Sequence, residues 1–216
     1  MLQPQILFKP RASGLFNLMT DPRSKSEVLS EGAKTYLDKC AKELFYDYST
    51  EAGSKETAKG LEVEDQAIEL FNSVFFTDHK KNTERRETDY LTGECDIFTG
   101  SEIIDIKSSW SIATFPATVR AGDKKEYEWQ ARAYMHLWDV PRATIAYCLV
   151  DTPDHLVGYE DENLHIVSHI SPELRITRVR YERDDALEKK LIERCKLAQD
   201  YLREELFRIE SEHRGI

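Results

Sequence analysis

The chain has 216 residues, 30 of them Lys or Arg and 40 Asp or Glu, which gives a formal net charge of −10, and 40% of its residues are hydrophobic. This composition supports a folded core, the length suits one domain, and no apolar run approaches the length of a membrane span. The net charge argues against a protein that coats nucleic acid nonspecifically, but it leaves room for a nuclease with a locally basic channel.

The cysteines are isolated and include no Cys-x-x-Cys pair, which is typical of reduced thiols rather than of a disulfide framework, a zinc knuckle or an iron–sulfur site. They are Cys40, Cys95, Cys148 and Cys195. The first five residues lack the basic-then-apolar order of a signal peptide, so we expect a cytoplasmic protein without a membrane partner.

Helical periodicity dominates the first third of the chain. It predicts a short helix over Leu15–Met19 and a long helix over Ser26–Phe45, with Ser26 as the N-cap. A further helix is predicted over Ser54–Phe75. The charged segment Asp78–Thr88 that follows is predicted to be an exposed loop.

The remainder of the chain alternates between strand and helix patterns. Strands are predicted over Asp89–Phe98, Glu102–Ser109, Ala143–Val150 and Leu174–Tyr181. A helix over Lys125–Trp138 separates the second and third strands, and a long charged helix over Asp184–Glu212 closes the chain. That helix carries one apolar stripe, formed by Leu187, Leu191, Cys195, Ala198, Leu202, Leu206 and Ile209. The order of elements predicts an α/β fold with a central mixed β-sheet flanked by helices.

Two acids and a lysine lie on the first two predicted strands. Ile104 and Ile106 should point to one face of the second strand, and Asp105 and Lys107 to the other. If Asp96 converges with them, the layout suits a Mg²⁺ site that cuts phosphodiesters, in which acids hold the metal and the lysine serves the attacking water. Many solvent-facing strands share this pattern, so the motif alone leaves a purely structural strand open.

A third acid lies on the apolar side of the helix before these strands. At about 100° per residue, Glu64 falls in the direction of Ile68, Phe71 and Phe75. A buried ionised carboxylate is costly unless it is paired or binds a metal. The alternative is a helix that begins near Gly60, with Glu64 in its first turns and in contact with water or the helix dipole.

The helix over 125–138 has a polar face formed by Gln130 and Tyr134, which are four residues apart. One interpretation is a semi-exposed helix. The other is a glutamine that orients a water or a phosphate oxygen, with the tyrosine packed behind it.

Together these residues resemble the PD-(D/E)XK nuclease superfamily, and within it the phage-type recombination exonucleases (lambda-exonuclease or YqaJ-like viral recombinases). The segments that carry the resemblance are Arg11-Ala12-Ser13, Gly60-x-x-x-Glu64-x-x-Ala67-x-x-Leu70-Phe71, Gly93-Glu94-Cys95-Asp96, Asp105-Ile106-Lys107 and Gln130-x-x-x-Tyr134. The family often has Glu where this chain has Asp105, and a Pro where it has Cys95. The loop after Lys107 has no arginine before Arg120, which leaves the 5′-phosphate ligands open.

The resemblance implies a restriction-endonuclease-like core in a single nuclease domain over 1–216. Within it, 1–50 would hold the N-terminal helices, 51–183 the catalytic core and 184–216 the C-terminal helix. Asp96, Asp105 and the backbone carbonyl of Ile106 would bind Mg²⁺, for which Mn²⁺ may substitute, and Glu64 would complete the site. Lys107 and Gln130 would position the attacking water. The residues implied to contact DNA are Arg11, Ser13, Ser108, Arg120 and Tyr134.

The activity implied is metal-dependent 5′→3′ digestion of linear duplex DNA from its ends in phage-type recombination. The family also implies a ring-shaped homotrimer, a single-strand annealing protein as partner, and a phage or prophage enzyme in the bacterial cytoplasm. Two alternatives stay open: an endonuclease of the same fold, and a non-catalytic DNA-end-binding protein. The Gln-x-x-x-Tyr motif favours the exonuclease, and the complete set of acids and lysine favours activity.

Overall fold

The structure, a computed structural model, describes residues 8–49 and 53–214. The first five residues, whose pattern argues against a signal peptide, lie outside the described residues. Within the described ranges, no helix is both long enough and apolar enough to cross a membrane.

Among the described residues, six strands form two sheets. They are β1 (Arg86–Glu87), β2 (Thr92–Gly93), β3 (Ile97–Phe98), β4 (Glu102–Ser108), β5 (Arg142–Cys148) and β6 (Ile176–Glu182). β1 and β2 pair in a small antiparallel sheet. The main sheet has the order β3-β4-β5-β6, in which β4 and β5 are parallel and the two outer pairs are antiparallel. The predicted mixed sheet is therefore confirmed.

Seven α-helices in the described part of the chain surround this sheet. They are α1 (Glu31–Tyr46), α2 (Lys55–Glu62), α3 (Glu64–Phe75), α4 (Val119–Gly122), α5 (Lys125–Trp138), α6 (Asp154–Val157) and α7 (Asp185–Arg214). A 3-10 helix over Ala12–Leu18 precedes them, and two shorter ones lie at Glu162–Leu164 and Pro172–Leu174. The chain passes from β4 to the parallel strand β5 through α4 and α5, as a parallel pair requires.

The two faces of the sheet are buried in two separate cores. On one face, Ile103 and Ile145 pack in a large core with α5, α1, α7 and the 3-10 helix over Ala12–Leu18. On the other face, Ile104 and Ile106 pack with the apolar residues of α3. The sheet thus has helices on both sides, and the alternation predicted along β4 separates its side chains between the two cores.

Local sequence predicts some elements well. α5 occupies the predicted range, and the stripe of α7 is buried against the large core from Leu191 to Leu206, with Leu187 and Ile209 partly buried at its ends. The short N-terminal helix is a 3-10 helix that begins earlier than predicted, at Ala12.

The predicted N-cap of α1 is wrong by four residues. Ser30, rather than Ser26, caps the helix, and its Oγ accepts a hydrogen bond from the Ala33 N–H at 3.1 Å. The Ser26 hydroxyl instead contacts that of Ser24 at 2.8 Å. Two serines four residues apart offer the same local signal, and the contact of Ser30 with Thr20 at 2.6 Å favours the second.

Two other predicted elements are interrupted. The single helix predicted over 54–75 consists of α2 and α3, which are separated at the buried Val63. The strand predicted over 89–98 is reduced to β2 and β3, and the loop predicted over 78–88 contains β1. Both interruptions lie beside the cleft described below.

Candidate active site

A cleft opens where β3 and β4 separate. The two strands pair at Ile97 with Ile104 and at Phe98 with Ile103. Beyond this pairing, Asp96 Oδ2 accepts a hydrogen bond from the Ile106 N–H at 2.6 Å, in place of a strand partner. Because the N–H and C=O of one strand residue point to the same edge, the Ile106 carbonyl also faces the Asp96 side.

The cavity at this point has a volume of about 380 Å³. It is lined by Glu56, Thr57, Gly60, Leu61, Glu64, Asp96, Asp105, Ile106, Lys107, Ser108, Tyr127, Gln130 and Tyr134. Eight of the residues proposed from the sequence, contributed by α3, β4, α5 and the segment before β3, therefore share one cleft.

Asp105 and Lys107 point away from the Ile104 and Ile106 core, as the alternation predicts. Lys107 Nζ lies 2.7 Å from Asp105 Oδ2, and Asp105 is only 2% exposed. Apart from the Lys107 ammonium, no group in the described part of the chain donates a hydrogen bond to that buried oxygen. Asp105 Oδ2 is thus positioned to accept a further electropositive partner.

Burial and neighbouring charges in the cleft shift the pKa values of Asp96 and Lys107. Burial raises the pKa of Asp96 well above its ordinary range, and the neighbouring charge of Asp105 raises it further. Burial acts to lower the pKa of Lys107, but the charges of Asp105 and Asp96 outweigh it, so the pKa is raised. Lys107 is therefore an ammonium at neutral pH, whereas the raised pKa of Asp96 favours its protonated form until a cation binds beside it.

Glu64 opens α3 and reaches the same cleft, with its side chain 16% exposed. Its Oε2 accepts a hydrogen bond from Lys81 Nζ at 2.6 Å. Across the described ranges, no three His, Cys, Asp or Glu side chains are grouped closely enough to hold a metal ion. Glu64 is therefore the first residue of α3, and its side chain also faces the cleft.

Gln130 and Tyr134 form the rear wall of the cleft. They are 5% and 4% exposed, so the interpretation of a semi-exposed face is wrong for these two residues. Gln130 Nε2 donates a hydrogen bond to the Tyr134 hydroxyl at 2.9 Å. Tyr127, on the same side of α5, was not predicted, and its ring centre lies 5.1 Å from Lys107 Nζ. Its spacing of three residues from Gln130 is the sequence signal that could have identified it.

Three of the residues implied to contact DNA lie outside the cleft. Arg11 lines a different cavity with Tyr36, while Ser13 and Arg120 are exposed on the first 3-10 helix and on α4. Ser108, at the end of β4, does line the cleft.

Two carboxylates and a carbonyl of the cleft suit a hard divalent cation. Asp96, Asp105 and the Ile106 carbonyl provide only oxygen donors, which Mg²⁺ and Mn²⁺ prefer. Among the described residues, the buried Oδ2 of Asp105 has no donor other than Lys107, and a cation would relieve the repulsion that raises the pKa of Asp96. The residues present therefore fit the metal that the sequence motifs imply.

A protein of known structure is similar to this chain over nearly its whole length. The crystal structure of a phage-related exonuclease from Haemophilus somnus 129PT superposes with a TM-score of 0.89 and 36% sequence identity, and the match covers 94% of this chain and 96% of that one. The chain belongs to the phage-related exonuclease family. The resemblance inferred from the motifs is thereby confirmed.

The phage-related exonuclease fold extends to more distant proteins. The alkaline exonuclease LHK-Exo from Laribacter hongkongensis has a TM-score of 0.71 at 15% identity, and the match covers 96% of this chain and 94% of that one. The structure of LHK-Exo in complex with dAMP gives a TM-score of 0.70 at 16% identity. The sequence matches no protein-family model and no curated protein.

Proposed function

We propose that this phage-related exonuclease hydrolyses the phosphodiester bonds of linear duplex DNA from 5′ ends, with a divalent metal ion as cofactor. The observation that carries the proposal is the convergence of Asp96, Asp105, the Ile106 carbonyl and Lys107 on one cleft. Exonucleases are also the proteins of known structure that this chain resembles.

Asp96, Asp105 and the Ile106 carbonyl would hold Mg²⁺, and Glu64 would join them once it is separated from Lys81. When bound, the ion would supply an acidified water and stabilise negative charge on the phosphate. The acids of this chain would therefore supply the oxygen ligands, and Asp96 would release its proton when the ion binds.

Lys107 would act as a fixed positive charge rather than as a base. Its raised pKa keeps the ammonium protonated, and the ring of Tyr127 lies beside it. An ammonium in this position can stabilise charge that develops on a phosphate oxygen or hold the attacking water in place. Gln130 Nε2 donates one N–H to the Tyr134 hydroxyl, so its second N–H and its amide oxygen would be the groups that orient a water or a phosphate oxygen.

The wider proposals rest on the family resemblance. They are a role in phage-type recombination, a ring-shaped homotrimer and a single-strand annealing protein as partner. Arg11, Ser13 and Arg120 would contact DNA outside the cleft, where the structure places them on the surface.

Digestion of linear and covalently closed circular duplex DNA in Mg²⁺ separates this function from its alternatives. We expect the linear DNA to shorten progressively and the circle to persist. Cleavage of the circle would favour an endonuclease, and binding of linear DNA without cleavage would favour a non-catalytic end-binding protein.

A further inference from the structure

A second lysine approaches the acids of the cleft from outside it. Lys81 Nζ lies 2.6 Å from Glu64 Oε2, and its side chain is 45% exposed. The cleft thus has two acid–lysine pairs, Glu64 with Lys81 and Asp105 with Lys107. Only the second of these lysines belongs to the motif identified in the sequence.

Hydrogen bonds hold the segment that carries Lys81 next to Cys95 and Asp96. The N–H of Asn82 donates to the Asp96 carbonyl at 2.6 Å, and its Nδ2 donates to the Cys95 carbonyl at 2.9 Å. Five residues earlier, the side chain of Thr77 donates to Asn72 Oδ1 at 2.8 Å. These bonds place Lys81 beside the acid-bearing strand even if its pairing with Glu64 is broken.

Lys81 can pair with a DNA phosphate when a metal ion binds Glu64. The Glu64 carboxylate carries one negative charge, so a metal ion bound to it competes with the Lys81 ammonium for that charge. A metal ion on Glu64 would leave Lys81 as an uncompensated cation at the rim of the cleft, where a DNA strand brings one negative charge per phosphate.

We propose that Lys81 binds a backbone phosphate of DNA. Until a divalent cation binds the Glu64 carboxylate, Lys81 forms an ion pair with it. This inference rests on the proposed function, since it requires both the metal and the DNA. It assigns to Lys81 a binding role separate from that of Lys107.

Lys81→Met tests the proposal, because it removes the charge and keeps most of the side-chain length. Lys80→Met is the matched control, since Lys80 is the adjacent residue, is 79% exposed and pairs with Asp78 instead. Mn²⁺ binding without DNA is measured by calorimetric titration. Affinity for a short fluorescent duplex is then measured in Ca²⁺, which replaces Mg²⁺ to limit cleavage, over a series of salt concentrations.

We expect Lys81→Met to bind Mn²⁺ about two- to fivefold more tightly than wild type, because an exposed ion pair no longer competes for Glu64. The slope of log affinity for DNA against log salt should become shallower by about 0.9, the value for one lost phosphate contact. Lys80→Met should match wild type in both measurements.

Unchanged Mn²⁺ affinity in Lys81→Met would overturn the competition for Glu64, and an unchanged salt slope would overturn the phosphate contact. If Lys80→Met changes the Mn²⁺ affinity and the salt slope as much as Lys81→Met does, the effects come from the loss of any nearby positive charge, and the proposal is also overturned. If wild type binds Mn²⁺ and digests DNA, such results reject only the role of Lys81. If wild type does neither, the proposed function itself fails.

Discussion

Replacing Lys59 with Met should destabilise the protein by about 2–5 kcal/mol at neutral pH. Lys59 is 0% exposed, and its Nζ donates to the carbonyls of Ser109, Trp110 and Val150 at 2.7, 3.0 and 2.8 Å. The Trp110 carbonyl keeps the Thr152 hydroxyl as a donor at 2.9 Å. The other two carbonyls would lose this donor, at roughly 1–3 kcal/mol each for a buried acceptor left unpaired.

Urea denaturation followed by circular dichroism measures this change, with Lys55→Met as the control. Lys55 is on the same helix, is 55% exposed, forms a 3.7 Å ion pair with Glu160 and lies 5.9 Å from the centre of the Trp110 ring, so its loss should cost about 1 kcal/mol or less. For a chain of this size, Lys59→Met should lower Tm by about 5–15 °C. A Lys59→Met variant within about 0.5 kcal/mol of wild type would refute the reasoning.

The pH dependence provides an independent check on Lys59. Burial lowers the pKa of Lys59 from 10.5 to about 8. Between these two values the unfolded chain binds more protons than the folded protein, so the stability that Lys59 contributes rises with pH in that window. The difference in unfolding free energy between wild type and Lys59→Met should therefore widen from pH 8 to pH 10. A difference that narrows over this range would show that the ammonium form is favoured in the fold.

Three further predictions concern the cleft. Lys107→Met should lower the rate of DNA cleavage about 100-fold or more while far-ultraviolet circular dichroism stays unchanged, and retention of a tenth of the wild-type rate would contradict its role. Asp96→Asn and Asp105→Asn should each weaken Mn²⁺ binding in calorimetry, and unchanged Mn²⁺ affinity in both would count against the site. Asp96→Asn should also raise Tm without metal, because a buried carboxyl beside Asp105 is removed, whereas Asp105→Asn should not, because it leaves the Lys107 ammonium without its partner. Glu64→Gln should lower the rate about tenfold, roughly 1.4 kcal/mol in the barrier, whereas Glu62→Gln, an exposed acid paired with His155, should keep at least half of it. A larger loss of cleavage rate in Glu62→Gln than in Glu64→Gln would instead make Glu62 the third acid of the metal site.

The parts of the fold that the sequence predicts are those governed by local periodicity. From Ile104 to Lys107 apolar and polar residues alternate along β4, so Ile104 and Ile106 could be assigned to a core and Asp105 and Lys107 to the opposite face before any tertiary contact was known. The same holds for α5 and for the stripe of α7, whose apolar spacing is regular.

The parts that the sequence does not predict depend on contacts between distant residues. The interruption at Val63 accompanies the burial of Lys59 against carbonyls that lie 50 and 91 residues away in the chain. The late start of β3, at Ile97, accompanies the hydrogen bond in which the side chain of Asp96, instead of a strand backbone, pairs with the Ile106 N–H. The pairing of Glu64 with Lys81 has no local signal at all, because the two residues are 17 positions apart and on different elements.

Release of a 5′-terminal label from linear duplex DNA tests the central claim most directly. Wild type in Mg²⁺ should release the labelled nucleotide early in the time course, and a 3′ label should persist until the duplex is largely degraded. Wild type in EDTA and Asp105→Asn in Mg²⁺ should both release each label far more slowly than wild type does in Mg²⁺. Release of the 5′ label by Asp105→Asn at the wild-type rate would contradict the assignment of this cleft as the hydrolytic centre.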